Sequence, residues 1–160
     1  MRPVSALLMA ALAVTGGAAQ AARDPAPVQA ALAGAPSSAP SIPNAASLDG
    51  SEWRFVELDG AAVPAGVAAS LRFHDGHAAG KAGCNAYGVR YEIRTDGTAR
   101  FTQTLSTKMA CLQPAGAMQV ERAVFNAFRK TAKVETSGGE LLMLDAAGRP
   151  LAKLVRENAQ

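Results

Sequence analysis

The sequence predicts a mainly β fold with one helix (α+β): a small antiparallel β-barrel-like domain of about eight short strands with a single α-helix packed against it. Three observations predict it. After Leu48 the chain breaks into short segments in which apolar and polar residues alternate. Asp-Gly and Gly-Gly pairs stand between those segments, where a reversal of direction needs residues that tolerate positive φ. One segment alone, Gly116 to Lys130, carries its apolar residues on a helical stripe.

Taken in order, Trp53 to Glu57 reads as a first strand closed by Asp59-Gly60. Ala69 to His74 alternates, Leu71 and Phe73 on one face and Ser70, Arg72 and His74 on the other, and Asp75-Gly76 turns it back into His77 to Lys81. Val89 to Arg94 places Val89, Tyr91 and Ile93 inward, and Asp96-Gly97 leads into Ala99 to Thr102. Consecutive strands joined by short turns predict a meander. The helix follows, with Met118, Val124, Phe125 and Phe128 on its stripe, Pro114 ahead of it and Arg129-Lys130 at its end, an arrangement that suits the helix dipole. Lys133 to Thr136, Leu141 to Leu144 and Leu151 to Val155 complete the set. Trp53, Phe73, Tyr91, Ile93, Phe101 and Phe125 point inward in this reading, enough bulk to fill a small barrel.

The first third of the chain has a different texture. Met1-Arg2 precedes an apolar run from Val4 to Val14, and Ala19-Gln20-Ala21 offers small residues at a cleavage site, so residues 1–21 read as a secretory signal peptide. The run is too short for a membrane span, which needs roughly 20 residues, and no cysteine follows it to accept a lipid anchor. Residues 22–47 are rich in Ala, Pro and Ser with almost no charge, the composition of a disordered linker, and the domain then spans 48–160. The expected location is periplasmic or secreted. Loss of Arg2 with the signal leaves 15 basic residues against 13 acidic ones. They are scattered along the chain, which argues against nucleic acid as a partner.

Few constellations carry chemistry. Cys84 and Cys111 are the only two cysteines, and in an exported chain a disulfide is the leading reading. The alternative makes Cys84 a nucleophile with His74 or His77 as its base, an arrangement that lacks a third, orienting member. His74 and His77 also flank a turn and could share a metal ion, but nothing completes a ligand set, so no metal and no cofactor are expected. Gly83 and Asn85, on either side of Cys84, are residue types that accept a strained turn or bulge, and Tyr87 follows them into the next strand. No G-x-S-x-G elbow, glycine-rich phosphate loop or convergent carboxylate pair is present.

These residues resemble the META/HslJ-like domain family of small exported or envelope-associated bacterial proteins. The resemblance runs from LDGSEWRFVELDG, which contains Trp53, through the G-C-N-A-Y block of Gly83 to Tyr87 and the T-K-M-A-C block of Thr107, Met109 and Cys111. It continues in ERAVFNAF and ends in LLMLDAAGRPLAKLV. It implies a compact antiparallel barrel-like fold with one helix and an association with heat-shock or envelope stress and antibiotic tolerance. It implies no catalytic residue. The expected function is a non-enzymatic envelope protein, monomeric, that binds a protein partner or a small apolar ligand without stable membrane insertion. The competing expectation is a thiol- or metal-dependent hydrolase using Cys84 with His74 and His77.

Overall fold

A computed structural model describes residues 39–157. The segment read as a signal peptide, the part of the expected linker up to residue 38 and the last three residues lie outside the described residues. The elements are α1 (Ala45–Leu48), β1 (Glu52–Leu58), β2 (Ala61–Ala62), β3 (Ser70–His74), β4 (His77–Ala82), β5 (Asn85–Ile93), β6 (Ala99–Ser106), α2 (Ala117–Lys130), β7 (Lys133–Ser137), β8 (Glu140–Leu144) and β9 (Pro150–Glu157). Apart from β2, which pairs only with β1, the strands form one antiparallel sheet in the order β6-β5-β4-β3-β1-β9-β8-β7. The meander expected for β3 to β6 is present, and β7 to β9 form a second one. β1 joins them by pairing with β3 on one side and β9 on the other.

The sheet curls until its two edges touch at one corner. There the Ala99 N–H donates to the Ala132 carbonyl at 2.9 Å and the Val134 N–H to the Gly97 carbonyl at 3.0 Å. Further along β7, Ser41 exchanges backbone hydrogen bonds of 2.7 and 2.8 Å with Thr136. The ordered domain therefore begins ahead of Leu48, the boundary that composition suggests. Asn44 also sits inside it, as the N-cap of α1, its side chain accepting from the Ser47 N–H while the Ser47 hydroxyl accepts from the Asn44 N–H.

The interior is apolar and continuous. Phe55, Leu71, Phe73, Leu141, Met143 and Leu154 are buried from the strands, and Val124 and Phe128 from α2. Phe128 stacks on Phe101 with ring centroids 5.1 Å apart and meets Tyr87 and Phe55 at 5.3 and 6.4 Å. The helix thus lays its apolar face across the inside of the curled sheet. Its stripe is phased differently from the sequence reading: Ala117, Val120, Glu121, Val124, Ala127 and Phe128 are buried, while Met118 and Phe125 flank the contact half-buried. Ala117 and Ala127 are buried on this face, and a reading weighted by side-chain size passes over them.

Eight strands fall where alternation predicts them, with two extensions. β5 starts at Asn85 and β6 runs on to Ser106, past a bulge opposite Val89 where Gln103 takes a positive φ. The two-residue β2 and four-residue α1 are the additions to the expected set.

Candidate functional site

The residues of the two cysteine blocks converge on one corner, where β4 turns into β5, and the corner is built from the backbone up. Gly83 adopts φ +65°, and a Cβ there would lie 2.5 Å from the Ala117 carbonyl oxygen, so only glycine lets the start of α2 sit against the turn. Cys84 follows and forms a disulfide with Cys111, their Cα atoms 5.9 Å apart. The Cys111 N–H is taken by the Met118 sulfur at 3.4 Å, which links the same loop to the first turn of α2.

Asn85 comes next, and its place in a strand corrects the expectation that it serves a turn. Its side chain is buried and uses every hydrogen bond an amide has. Oδ1 accepts from the Thr107 hydroxyl at 2.6 Å and from the Met109 N–H at 2.9 Å. Nδ2 donates to the Met109 carbonyl at 3.0 Å and to Glu121 Oε2 at 2.8 Å. Two donors and two acceptor positions are all that an amide offers. Thr107 Oγ1 in turn accepts from the Ala86 N–H at 3.2 Å. The loop from Thr107 to Cys111 is therefore held by a side-chain amide as well as by a disulfide.

Glu121 is the member that sequence reasoning missed. The available signal was its phase, since it lies four residues after Ala117 and three before Val124 and so falls on the buried face. Tyr87, two residues beyond Asn85 and on the same side of β5, is buried and donates its hydroxyl to the Ser70 carbonyl at 2.6 Å. Burial pushes its phenol pKa far up, which keeps the group neutral. Gly80, paired with Tyr87 across the sheet, makes room for this bond, because a Cβ there would collide with the Ser70 carbonyl.

The remaining sequence candidates lie elsewhere. Trp53 is buried on β1, donates Nε1–H to Ser51 Oγ at 2.7 Å, and has the Arg156 guanidinium 5.7 Å from its ring centre. His74 and His77 face each other across the β3–β4 turn. His77 Nδ1 lies 3.0 Å from the Asp75 carbonyl oxygen, and His74 Nδ1 lies 3.7 Å from Asp49 Oδ1 with its side chain 81% exposed. Between His77 and Ala82, next to the disulfide, runs roughly 17 Å of strand at the usual rise per residue. The structure therefore does not bring either histidine to Cys84, and the cysteine sulfur is bonded to its partner. Among the described residues, no three His, Cys, Asp or Glu side chains gather where they would hold a metal ion.

At this corner the Asn85 amide, the Thr107 hydroxyl and the Glu121 carboxylate each have a partner inside the domain. Among the described residues, no buried side-chain nitrogen or oxygen lacks a hydrogen bond. Comparison with known proteins points the same way on fold. A solution structure of a protein from Burkholderia xenovorans is 27% identical, covers 76% of this chain and 93% of its own, and superposes with a TM-score of 0.59. A second solution structure, 14% identical over 71% of this chain and 95% of its own, has a TM-score of 0.57 and shares the fold. No curated protein matches significantly. The model of the META domain matches residues 46–158, which takes in the whole sheet, α2 and the Asn85 corner, and the chain accordingly belongs to the META domain family.

Proposed function

We propose that the protein is a non-enzymatic, exported envelope protein that acts by binding, in the response to heat, envelope or antibiotic stress. One observation carries the reading. The residues most suggestive of chemistry, Cys84, Asn85, Thr107 and Cys111, are bonded to one another, and the Asn85 amide and the Tyr87 hydroxyl find their remaining partners within the domain. A catalytic group needs a free lone pair or a transferable proton at an accessible position. Cys84 is in a disulfide, and Asn85 has no hydrogen-bonding capacity left over. The disulfide also suits an oxidising compartment. Between the two binding versions, the interior occupied by Phe55, Phe73, Phe101 and Phe128 favours a partner on the outer surface over a ligand carried inside.

Crosslinking in the periplasm, followed by identification of what is captured, tests the proposal. A specific partner recovered from stressed cells is the expected result. Two free thiols in the denatured, unreduced protein would revive the hydrolase.

A further inference from the structure

Four large apolar side chains are exposed among the described residues, and three of them fall within eight consecutive positions: Leu105 (77% exposed), Met109 (55%) and Leu112 (88%). A single exposed leucine is ordinary, but three exposed large side chains clustered at the end of β6 and in the loop after it are not. The segment is held in place by its pairing with β5, by the Thr107 N–H donating to the Ala86 carbonyl, and by side-chain ties. Thr107 and Met109 are tied to Asn85, and Cys111 is tied to Cys84. The side chains are thus presented by a rigid support, which lowers the ordering cost of any contact they make.

The sheet beside this loop has a one-sided charge. Cross-strand partners share a face, so the pairs Lys81 with Ala86, Gly88 with Leu105, Arg90 with Thr102 and Glu92 with Arg100 place these residues together on the outer surface of β4 to β6. Those three strands contribute Lys81, Arg90 and Arg100 against one acidic residue, Glu92, and Lys108 stands in the loop itself. Among the described residues, none of these four cations is in an ion pair: the pairs formed are those of Arg54, Arg72, His74, Lys133, Arg149 and Lys153. Cations scattered in the sequence are gathered by the strand register.

We infer that the segment from Leu105 to Leu112, the end of β6 and the loop after it, together with the basic outer face of β4 to β6, docks on an anionic lipid surface. Leu105, Met109 and Leu112 enter the boundary between headgroups and acyl chains, and Lys108, Lys81 and the arginines lie over the negative headgroups. Charge complementarity and the absence of directional groups select this occupant. Thr107 and Met109 spend their hydrogen bonds inside the domain, which leaves aliphatic side chains and positive charge, the two things a bilayer surface recognises. The inference goes beyond the proposed function, since it names a surface and a lipid chemistry that hold whether or not a protein partner is also bound.

The test is cosedimentation of the processed protein, purified after export and with its N-terminus sequenced so that the apolar run Val4 to Val14 is known to be absent. The probes are vesicles of phosphatidylethanolamine and phosphatidylglycerol in equal parts, with phosphatidylcholine vesicles as the neutral control. The expected result is binding to the anionic vesicles only. Leu105→Ser with Leu112→Ser, and separately Lys81→Gln with Lys108→Gln, should each weaken it on the order of tenfold. Roughly 0.5 M salt should weaken it as well. Both variants leave the Asn85 network and the disulfide in place, and their melting temperatures should match the parent. Equal binding to neutral vesicles, unchanged binding by the serine variant, or no binding would overturn the inference. So would self-association of the parent that the serine variant abolishes, because the loop would then be a contact between copies of this chain.

Discussion

The corner around Asn85 and the tip of the β3–β4 hairpin hold the residues that look most like chemistry in this chain, and they are built in opposite ways. At the corner, an amide, a carboxylate, a hydroxyl and a disulfide are packed together with partners for their polar atoms. At the tip, two imidazoles and two aspartates are exposed: Asp49 Oδ1 accepts from the Asp75 N–H at 2.6 Å, but His74 Nδ1 stays 3.7 Å from that oxygen and His77 Nδ1 meets only the Asp75 carbonyl oxygen. Residue type alone does not separate the two. Burial does, because a polar group removed from water must be satisfied or it destabilises the fold, whereas an exposed one is free to change. The corner should therefore be intolerant of substitution in stability, and the tip indifferent to it.

The largest effect is expected from Asn85→Asp, which keeps the shape of the side chain and exchanges the two donors of Nδ2 for a carboxylate oxygen. That oxygen would face Glu121 Oε2, now 2.8 Å from Nδ2, and the Met109 carbonyl, with no proton between them. Leaving a buried charge unpaired typically costs about 3–5 kcal/mol. Repulsion between the two carboxylates raises the pKa of the pair in the folded state, so this variant should regain stability as pH falls and a proton is taken up. Denaturant melts at neutral and acidic pH check both parts. An Asn85→Asp protein as stable as its parent at neutral pH would break the contrast between corner and tip.

Cys84→Ser ranks next. The chain-entropy model assigns a bridge with this sequence separation, 27 residues, roughly 3–4 kcal/mol, acting through the unfolded state. Because Asn85 holds the same loop independently, the variant should still fold, with the loop in place and a lower melting temperature. A variant with the parent's melting temperature that had lost a specific activity would show the corner to be reactive. Tyr87→Phe should cost less, about 1–3 kcal/mol, since it strands the Ser70 carbonyl but leaves the ring packed against Phe125 and Phe128. Thermal unfolding of the two variants side by side fixes their order.

Most of the sheet was legible in the sequence, because a strand with one buried face writes its alternation into the chain. Leu71 and Phe73, then Val89, Tyr91 and Ile93, are buried while Arg72, Arg90 and Glu92 are exposed. The cysteine corner was legible in part. The two cysteines and the residues beside them could be picked out, but the reason for Asn85 could not, since the same residue type serves turns. Its partners lie 22 to 36 positions away. Glu121 was hidden by its charge, which reads as solvent-facing in any helix whose partner is unknown. The outer basic face was invisible for a related reason: Lys81, Arg90 and Arg100 become neighbours only through the register of β4, β5 and β6. Short pieces such as β2 and α1 carry no period at all, and tertiary pairing alone defines them.

The smallest effect is expected where the residue types look most catalytic. His74→Ala together with His77→Ala removes both imidazoles of the chain, and either would be indispensable to the hydrolase reading. At the hairpin tip they contribute an exposed pair and one local contact with the Asp75 carbonyl oxygen, and substitutions of that kind usually stay within about 0.5 kcal/mol. The turn itself is set by Asp75 and Gly76, which adopt φ values of +45° and +72° independently of the flanking side chains. The double variant should therefore match its parent in denaturant midpoint and in crosslinking to any partner. A loss of crosslinking at unchanged stability would place the partner-binding surface at the hairpin. A loss of several kcal/mol would mean that burial is not what divides the two regions.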